Sequence, residues 1–183
     1  MPLLELPSTR VTLAILSEDE AQLALDYYSA NREHLEPWEP KREETFYTIE
    51  STRARLRASS AAFNLGTTYN FVVLDNQSGK VIGVCNFSNV VRGIFQACHL
   101  GYSIGVAYQG KGLMYEALET AIKYMFESVG LHRIMANHLT NNERSARLLQ
   151  RLGFEIEGFA KSYLKINGVW ENHILNSKVN PRD

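Results

Sequence analysis

The sequence predicts an α/β (α+β) fold in which about four helices flank one mixed, mostly antiparallel central sheet. Three observations indicate this fold. Alternating apolar runs are interleaved with segments of helical period. Tight-turn residues join two pairs of those runs, Asn76-Gln77-Ser78-Gly79 in the middle of the chain and Asn167-Gly168 near its end. A glycine-rich turn then connects a strand to a strongly amphipathic helix, so strands and helices share one core.

The first half of the chain is predicted to hold two helices and three strands. Ser17 and Glu20 form a capping box, whose side chains satisfy free amides at a helix start. The predicted elements are, in order, a strand at residues 10–16, a helix with Leu23, Tyr27 and Ala30 on one face, a proline- and charge-rich connection at 34–48, a helix at 49–63, and strands at 69–75 and 80–87.

The second half is predicted to alternate strands and helices before a final hairpin. Gly153 closes the last helix, since glycine adopts the left-handed conformation at such a position without cost. The predicted elements are a strand at 97–104, a turn at 105–112, a helix with Leu113, Ala117, Ala121 and Met125 on one face, a strand at 132–139, a helix at 142–152, and strands at 154–166 and 169–179.

Composition narrows the class of protein. The chain has 183 residues, 45% hydrophobic and 21% charged, with a formal net charge of −1. At about 150 residues per domain this length predicts a single domain over residues 1–183. The hydrophobic fraction and the low net charge exclude a disordered chain. Apolar runs of a few residues fall short of the ~18 needed to span a bilayer. Residues 1–5 lack signal-peptide features, so we expect a cytoplasmic protein that binds neither membrane nor DNA.

The two cysteines, Cys85 and Cys98, lie in predicted buried strands. The expected state is two buried free thiols, because unpaired cysteine is among the most buried residue types. A covalent cysteine mechanism is the minor alternative and needs an activating group. His99 is adjacent in sequence, but neighbouring residues of a strand point to opposite faces. No cysteine or histidine cluster has metal-ligand spacing, so no metal is expected.

The turn at residues 105–112 predicts a phosphate-binding site. A strand leads into glycines and then into a helix, which places several backbone amides at the positive end of the helix dipole. Glycine allows ligand oxygens to approach those amides because it has no Cβ. A purely structural turn is the alternative.

Three phosphate motifs compete for this turn. Gly105-x-x-x-x-Gly110-Lys111 matches most of a P-loop, but Gly112 replaces the Ser or Thr that ligates magnesium. A dinucleotide fingerprint fails because Leu113 and Met114 follow Gly112. The remaining motif is Gln109-x-x-Gly112 at the start of a helix.

The chain resembles the GCN5-related N-acetyltransferase (GNAT) family. Gln109-Gly110-Lys111-Gly112 is similar to the family's acetyl-CoA motif, (Gln/Arg)-x-x-Gly-x-(Gly/Ala), and Tyr102-Ser103-Ile104 matches the strand before it. Asn142-x-x-Ser145 followed by Gly153-Phe154 is similar to a second family signature. Residues 34–40, 84–93 and 132–137 resemble the branch that acetylates the N-terminal alanine of a small-subunit ribosomal protein. The resemblance implies the GNAT fold, acetyl-CoA as cosubstrate and no metal.

The resemblance also implies the cosubstrate site. Strand residues 102–104 offer backbone groups to the pantetheine arm, amides of residues 110–115 hold the pyrophosphate, and Asn142 binds pantetheine. The implied binding residues are Tyr102, Ser103, Ile104, Gln109, Gly110, Lys111, Gly112, Leu113, Met114, Tyr115 and Asn142. Met114 departs from the motif, which has Gly or Ala at that position.

Ser145 is implied to lie near the thioester sulfur, where its hydroxyl can protonate or stabilise the leaving thiolate. Leu149 occupies the place where many family members have a tyrosine acid, so the acid role passes to Ser145. A buried small residue is the alternative for Ser145. A related ribosomal acetyltransferase has a glutamate base where this chain has Leu164, so the resemblance names no base.

We expect a carboxylate of the 34–48 connection to act as the base. An α-amine with a pKa near 7.7–8.0 is about 10% neutral at pH 7, so a weak base acting through an ordered water suffices. Glu39 is the preferred candidate because its Pro37-Trp38 neighbours are rigid, and Glu36 is the second. A solvated loop charge is the alternative for Glu39. His99 and His138 are further candidates, each with a structural alternative.

Charge patterns indicate the acceptor and leave two interpretations open. Residues 33–44 carry five acids against Lys41 and Arg42, which favours a basic ribosomal-protein N-terminus or is a solvated face. Three arginines, Arg144, Arg147 and Arg151, recur at helical spacing. They are expected to bind the CoA 3′-phosphate, to bind ribosomal RNA or to form a solvated stripe. The expected partner is a ribosomal protein, with ribosomal particles as the second candidate, and the expected state is a monomer or weak dimer.

Two alternative functions stay open from the sequence alone. One is acetylation of small-molecule amines by the same fold. The other is a non-catalytic, CoA-binding factor in ribosome assembly or regulation. Loss of activity towards peptides would favour the first, and CoA binding without transfer would favour the second.

Overall fold

The computed structural model describes residues 1–182, which form one eight-stranded sheet with helices against both faces. The strands are β1 (Leu4–Pro7), β2 (Val11–Ile15), β3 (Tyr69–Asp75), β4 (Val81–Val91), β5 (Ala97–Ile104), β6 (Arg133–Leu139), β7 (Glu155–Ile166) and β8 (Val169–Val179). The helices are α1 (Ala21–Ala30), α2 (Arg32–Leu35), α3 (Ile49–Asn64), α4 (Leu113–Glu127) and α5 (Glu143–Arg151).

The strand order is β1-β2-β3-β4-β5-β6-β8-β7. Every neighbouring pair is antiparallel except β5 and β6, which run parallel with α4 as their crossover connection. The predicted mixed, mostly antiparallel sheet is therefore confirmed.

Three local features differ from the sequence prediction. The short edge strand β1 was not predicted, because four residues ending at a proline give little alternation. The single-turn helix α2 lies partly in the predicted 34–48 connection and brings the number of α-helices in residues 1–182 to five. Strand β4 continues to Val91, past a register shift next to Asn89, which has a left-handed φ of 53°.

Alternation along the strands divides the core between the two sheet faces. Leu13 and Ile15 of β2 belong to the larger cluster, which also contains the buried face of α4, whereas Ala14 and Leu16 belong to a second cluster against α1. The buried α4 residues are Leu113, Met114, Ala117, Leu118, Ala121, Ile122, Met125 and Phe126. Each large side chain among them contributes about 1.5–3 kcal/mol by burial, which fixes the start of α4 against the sheet.

The parallel pair β5–β6 separates part-way along its length. Register pairs run from Ala97–Arg133 to Leu100–Ala136. Strand β5 then continues to Ile104 paired with β4, while β6 continues to Leu139 paired with β8. Within the described residues, positions 101–104 therefore have no strand partner on the β6 side. We call this opening the β5–β6 split.

Both cysteines are free and buried, as expected. Burial raises the pKa of the Cys98 thiol to about 12 and raises that of Cys85 further, so both stay protonated at neutral pH. A protonated thiol is a poor nucleophile, which disfavours the covalent cysteine mechanism. No helix within residues 1–182 is long and apolar enough to cross a membrane.

Candidate active site

The turn before α4 presents backbone amides as the sequence predicts. Gly110 and Gly112 have φ values of +72° and +73°, in the left-handed region that side chains other than glycine rarely adopt. Gly112 is the N-cap of α4, and no side chain of the described chain caps that helix start. The first amides of a 15-residue helix are consequently directed at this turn, and they suit an anion.

The β1–β2 turn holds this loop in place through an interaction that was not predicted from the sequence. The Arg10 guanidinium donates to Glu116 Oε2 at 2.8 Å and to the Lys111 carbonyl at 2.9 Å. Ser8 Oγ and the Arg10 amide donate to Glu116 Oε1 at 2.9 and 2.7 Å. Burial alone raises the pKa of Glu116, but these hydrogen bonds outweigh it and lower the pKa overall. The carboxylate thus stays ionised and ties the turn to α4.

Met114, at the Gly/Ala position of the motif, directs its side chain away from the turn. It is buried in the main core, with its sulfur 3.7 Å from Cys85 Sγ. A Cβ on Gly83 would lie 3.0 Å from Met114 Cε and 2.7 Å from the Ser103 carbonyl. The absence of a side chain at Gly83 therefore makes room for Met114, and the departure from the motif leaves the backbone at residue 114 facing the turn.

Neighbouring residues of β5 direct hydroxyl groups to opposite faces of the sheet. Ser103 Oγ lies 3.0 Å from the Tyr27 hydroxyl of α1. Tyr102 packs against the main core on the other face, and its hydroxyl lies 2.5 Å from Ser145 Oγ of α5. The strand thus separates two polar groups, one beside α1 and one beside α5.

Glu39 is the buried carboxylate on the α1 side. Its side chain is 17% exposed, and the Arg42 guanidinium contacts Oε2. Among residues 1–182, no group has hydrogen-bond geometry to that oxygen. Burial raises the pKa of Glu39, although Arg42, Ser103 and His34 each favour the ionised form. The structure therefore places the preferred base beside the implied pantetheine strand, with its Oε2 buried against the Arg42 guanidinium.

His34 joins this group and was not singled out from the sequence. The Gln109 carboxamide nitrogen lies 3.0 Å from His34 Nε2, and Arg144 donates to the Gln109 carboxamide oxygen. His34 Nε2 also lies 3.2 Å from the Ile104 carbonyl, to which a protonated Nε2 would donate. His34 lies in α2, opposite the glycine turn. Tertiary contacts determine this position, so no local sequence pattern predicts it.

The start of α5 supplies the remaining predicted residues. Asn142 is the N-cap, and its carboxamide oxygen accepts from the Ser145 amide at 3.1 Å. The carboxamide nitrogen can still donate to a ligand. Leu149, one turn after Ser145, is 1% exposed in the main core. Ser145 therefore meets Tyr102 at the β5–β6 split, and Leu149 packs into the main core on the same face of α5.

Comparison with known proteins decides the family. Residues 10–155 match the profile described as an acetyltransferase (GNAT) domain. The chain belongs to the GNAT acetyltransferase family. The expected family, enzyme class and fold are thereby confirmed.

Several relatives of this acetyltransferase share nearly its whole length. It is 46% identical over 181 residues to the [ribosomal protein uS5]-alanine N-acetyltransferase of Escherichia coli, covering 99% of this chain and 93% of that protein. A solved ribosomal-protein-S5-alanine acetyltransferase from Vibrio fischeri superposes with a TM-score of 0.93 at 42% identity, covering 97% of each chain. Mycobacterium smegmatis RimJ, solved with CoA-disulfide, superposes with a TM-score of 0.89 at 28% identity, covering 100% of this chain and 87% of that chain.

The arginines of α5 do not act as one stripe in this acetyltransferase. Arg144 bonds to Gln109, Arg147 pairs with Glu143 of its own helix at 3.2 Å, and Arg151 stacks over the Tyr115 ring at 4.0 Å. Arg144 and Arg151 thus contact the implied cosubstrate residues Gln109 and Tyr115. Arg147 is the solvated, helix-stabilising member.

The other proposed bases have different surroundings. Glu36 is exposed. His99 lies on the Ser103 face of β5, about 13 Å along the strand at ~3.3 Å per residue, and its Nδ1 is buried. His138 is buried on β6, with Nδ1 2.9 Å from the Leu139 carbonyl. Glu39 is the candidate that combines burial with proximity to the end of β5.

The acidic loop is less acidic in the fold than in the sequence. Glu39 is buried against Arg42, and Glu44 pairs with Arg32, which lies just before the loop. The acids left exposed without a described ion pair within residues 33–44 are Glu33, Glu36 and Glu43. The Asn167 amide donates to the Glu39 carbonyl at 2.9 Å, so the β7–β8 hairpin contacts this loop.

Proposed function

We propose that this chain transfers the acetyl group of acetyl-CoA to the N-terminal alanine α-amine of ribosomal protein uS5, within a ternary complex in the cytoplasm. The observation that carries the proposal is 46% identity to the Escherichia coli uS5-alanine enzyme over 99% of this chain. The site geometry supports it, because a buried carboxylate and a pair of hydroxyls flank the β5–β6 split.

Acetyl-CoA fits the split and the glycine turn. The unpaired edge of residues 101–104 can receive the amide-rich pantetheine arm as an added strand. The α4 amides after Gly112 would hold the pyrophosphate, and Asn142 would donate to pantetheine from the opposite wall. Among residues 1–182 no group of three or more His, Cys, Asp or Glu side chains is placed to hold a metal ion.

Glu39 would accept the proton of the attacking amine. The α-amine is partly neutral at pH 7, so the base needs only to remove the proton that nitrogen loses as its bond to carbon forms. A cavity of about 20 Å³ bordered by Glu36, Glu39 and Arg42 has room for about one water molecule beside the carboxylate.

The leaving group departs on the other face of β5. A backbone amide near Ile104 would bind the oxyanion as the nitrogen attacks the acetyl carbon. The carbon–sulfur bond then breaks, with its electron pair leaving on CoA. Ser145 would donate a hydrogen bond to this thiolate. The proton that nitrogen loses balances the one that the sulfur finally gains.

A peptide panel tests this function. Synthetic peptides that start with Ala, Ser or Met, and an N-terminally blocked peptide with an internal Lys, are incubated with the protein and acetyl-CoA, and the modified nitrogen is located by tandem mass spectrometry. We expect acetylation of the Ala peptide at its α-amine. Modification confined to lysine side chains would refute the proposal.

The two alternative functions are not favoured by the comparisons, since the relatives of greatest coverage described above carry names of ribosomal-protein N-acetyltransferases. The single-domain organisation over residues 1–183, the monomeric or weakly dimeric state and the binding of whole ribosomal particles stay predictions.

A further inference from the structure

The hydroxyl pair Tyr102–Ser145 joins the two walls of the β5–β6 split. The oxygens are 2.5 Å apart, a short distance even for two hydroxyl groups. Tyr102 belongs to β5 and is opposite Cys85 in the β4 register, whereas Ser145 belongs to the first turn of α5. The contact therefore forms beyond Leu100, where β5 and β6 are no longer paired.

Both residues are held by their own elements. The Tyr102 ring packs against the main core, and the strand around it is paired with β4. The Ser145 amide donates to the Asn142 side chain at 3.1 Å, which fixes the serine at the helix start. The short hydroxyl contact therefore joins two rigid supports.

Relative acidity favours the Tyr102 phenol as the donor in this hydrogen bond. Burial raises the pKa of Tyr102 to about 12, more than its bond to Ser145 lowers it, so the phenol stays protonated at neutral pH. A phenol is a stronger donor than an alcohol, and a hydroxyl oxygen can accept while its own proton bonds elsewhere. When Tyr102 donates, the Ser145 proton is free to bond elsewhere.

We propose that Tyr102 is a positioning residue for acetyl transfer, whose phenol donates to Ser145 Oγ and so directs the Ser145 proton at the departing CoA sulfur. The inference rests on the proposed acetyl transfer and adds a side-chain role to a residue implied to act through its backbone. A donor to Ser145 Oγ also makes that hydroxyl a better donor, because hydrogen bonds in a chain polarise one another.

A double-mutant cycle tests the role. The wild type, Tyr102→Phe, Ser145→Ala and the double variant are compared by release of free CoA thiol, using whichever amine the wild type accepts. We expect Tyr102→Phe to lower kcat by about tenfold, as for loss of one hydrogen bond, with an acetyl-CoA KM within about twofold. In the Ser145→Ala background the same change should lower kcat by less than about twofold.

Tyr69→Phe is the matched control. It removes a hydroxyl from a buried tyrosine on β3, outside the split, and should leave kcat unchanged. Equal losses from Tyr102→Phe in both backgrounds, or no loss in either, would overturn the inference.

Two further measurements distinguish the role of Tyr102 from a folding defect and from failure of the proposed function. If Tyr102→Phe lowers the thermal midpoint strongly, 3-fluorotyrosine at position 102 keeps the ring and acidifies the phenol. The change in kcat should then depend on the presence of Ser145, and an effect equal in both serine and alanine backgrounds would count against the role. Absence of turnover on Ala peptides refutes the proposed function alone, since the cycle uses the amine that is accepted.

Discussion

Glu39 and Ser145 lie on opposite sides of β5, the first near Ser103 and the second against Tyr102. One residue step along a strand changes the face to which a side chain points. A single strand can thus keep a proton acceptor for the amine apart from a donor for the thiolate, with the acetyl group between them. Each of the two roles has a test at the level of one residue.

Glu39→Gln should lower kcat/KM for an Ala peptide by about 100-fold, within the range of a lost general base. The acidic limb of the wild-type pH profile should reflect a carboxyl whose pKa is raised by burial. In the variant that limb should be lost, leaving ionisation of the substrate amine, with a pKa of about 7.7–8.0. Glu50→Gln, an exposed change on α3, is the control. Unchanged kcat/KM in Glu39→Gln would exclude Glu39 as the base.

The same substitution should raise stability at neutral pH. Because burial raises the folded-state pKa of Glu39, the ionised carboxyl is the unfavourable form in the fold. Its cost grows as pH rises through that pKa and is absent below the unfolded value. Thermal unfolding of Glu39→Gln should therefore occur at higher temperature than wild type at pH 8, with the difference closing towards pH 4. A variant that is less stable at pH 8 would contradict this reasoning.

Ser145→Ala should lower kcat by about 10- to 100-fold, as for removal of one transition-state donor, with the acetyl-CoA dissociation constant within about twofold. The alanine keeps the α5 start, because the Asn142 cap bonds to the backbone amide and not to the hydroxyl. Rapid-mixing turnover and calorimetric binding measure the two quantities. Undiminished turnover would show that Ser145 has no chemical role.

Among the secondary-structure elements, those determined by a few neighbouring residues were predicted correctly from the sequence. The glycine turn, the α4 stripe and the Asn167-Gly168 hairpin are all present, since φ requirements and periodicity are encoded within a few residues. Edge strand β1 and the one-turn helix α2 were missed, because each is too short to show a period.

Side-chain contacts between elements could not be predicted from the sequence. The bonds of Arg10 to Glu116 and of Tyr102 to Ser145 join residues far apart in the chain, and the burial of Glu39 depends on how the loop folds back. The sequence could therefore name cosubstrate residues and a preferred base, but the geometry that links them needed the fold.

The glycine turn supplies a test at this scale. Gly112→Ala puts a Cβ on a residue with φ of +73°, which destabilises the conformation and disturbs the amides before α4. We expect the KM for acetyl-CoA to rise by about tenfold or more, equivalent to roughly 1–2 kcal/mol. Gly79→Ala is a matched control, since Gly79 has φ of +67° in the β3–β4 turn with open space around it. An equal KM change in both variants would show that strain alone is responsible.

Over the whole molecule, the net charge of −1 combines the acidic loop at residues 33–44 with two arginines of α5, Arg144 and Arg151, that contact the implied cosubstrate residues. The acids of that loop without an ion pair number fewer than the sequence indicates, because Glu39 pairs with Arg42 and Glu44 with Arg32. A long-range attraction for a basic peptide therefore rests on Glu33, Glu36 and Glu43. Its strength should depend on ionic strength, since about 10 Å is the screening length at 0.1 M salt.

Salt titration measures that attraction. Wild-type kcat/KM for a basic Ala peptide should fall by several-fold between 0.02 and 0.5 M salt, roughly as expected for screened steering. Changing Glu33, Glu36 and Glu43 together to Gln should lower the low-salt value and flatten the dependence. Changing the exposed acids Glu5, Asp19 and Glu155 to amides is the control with equal charge. An identical salt response in both triple variants would show that net charge, and not the loop, is responsible.

The position of the acetyl group on intact uS5 distinguishes transfer to the N-terminal α-amine from transfer to lysine side chains. Purified, unacetylated uS5 with alanine at its N-terminus is incubated with acetyl-CoA and either the wild type or Glu39→Gln, and tandem mass spectrometry locates the added mass. We expect one acetyl group on the alanine α-amine with the wild type, and about 100-fold slower modification with Glu39→Gln. Acetylation of uS5 only on lysine side chains, or none at all under conditions where another amine is acetylated, would contradict it.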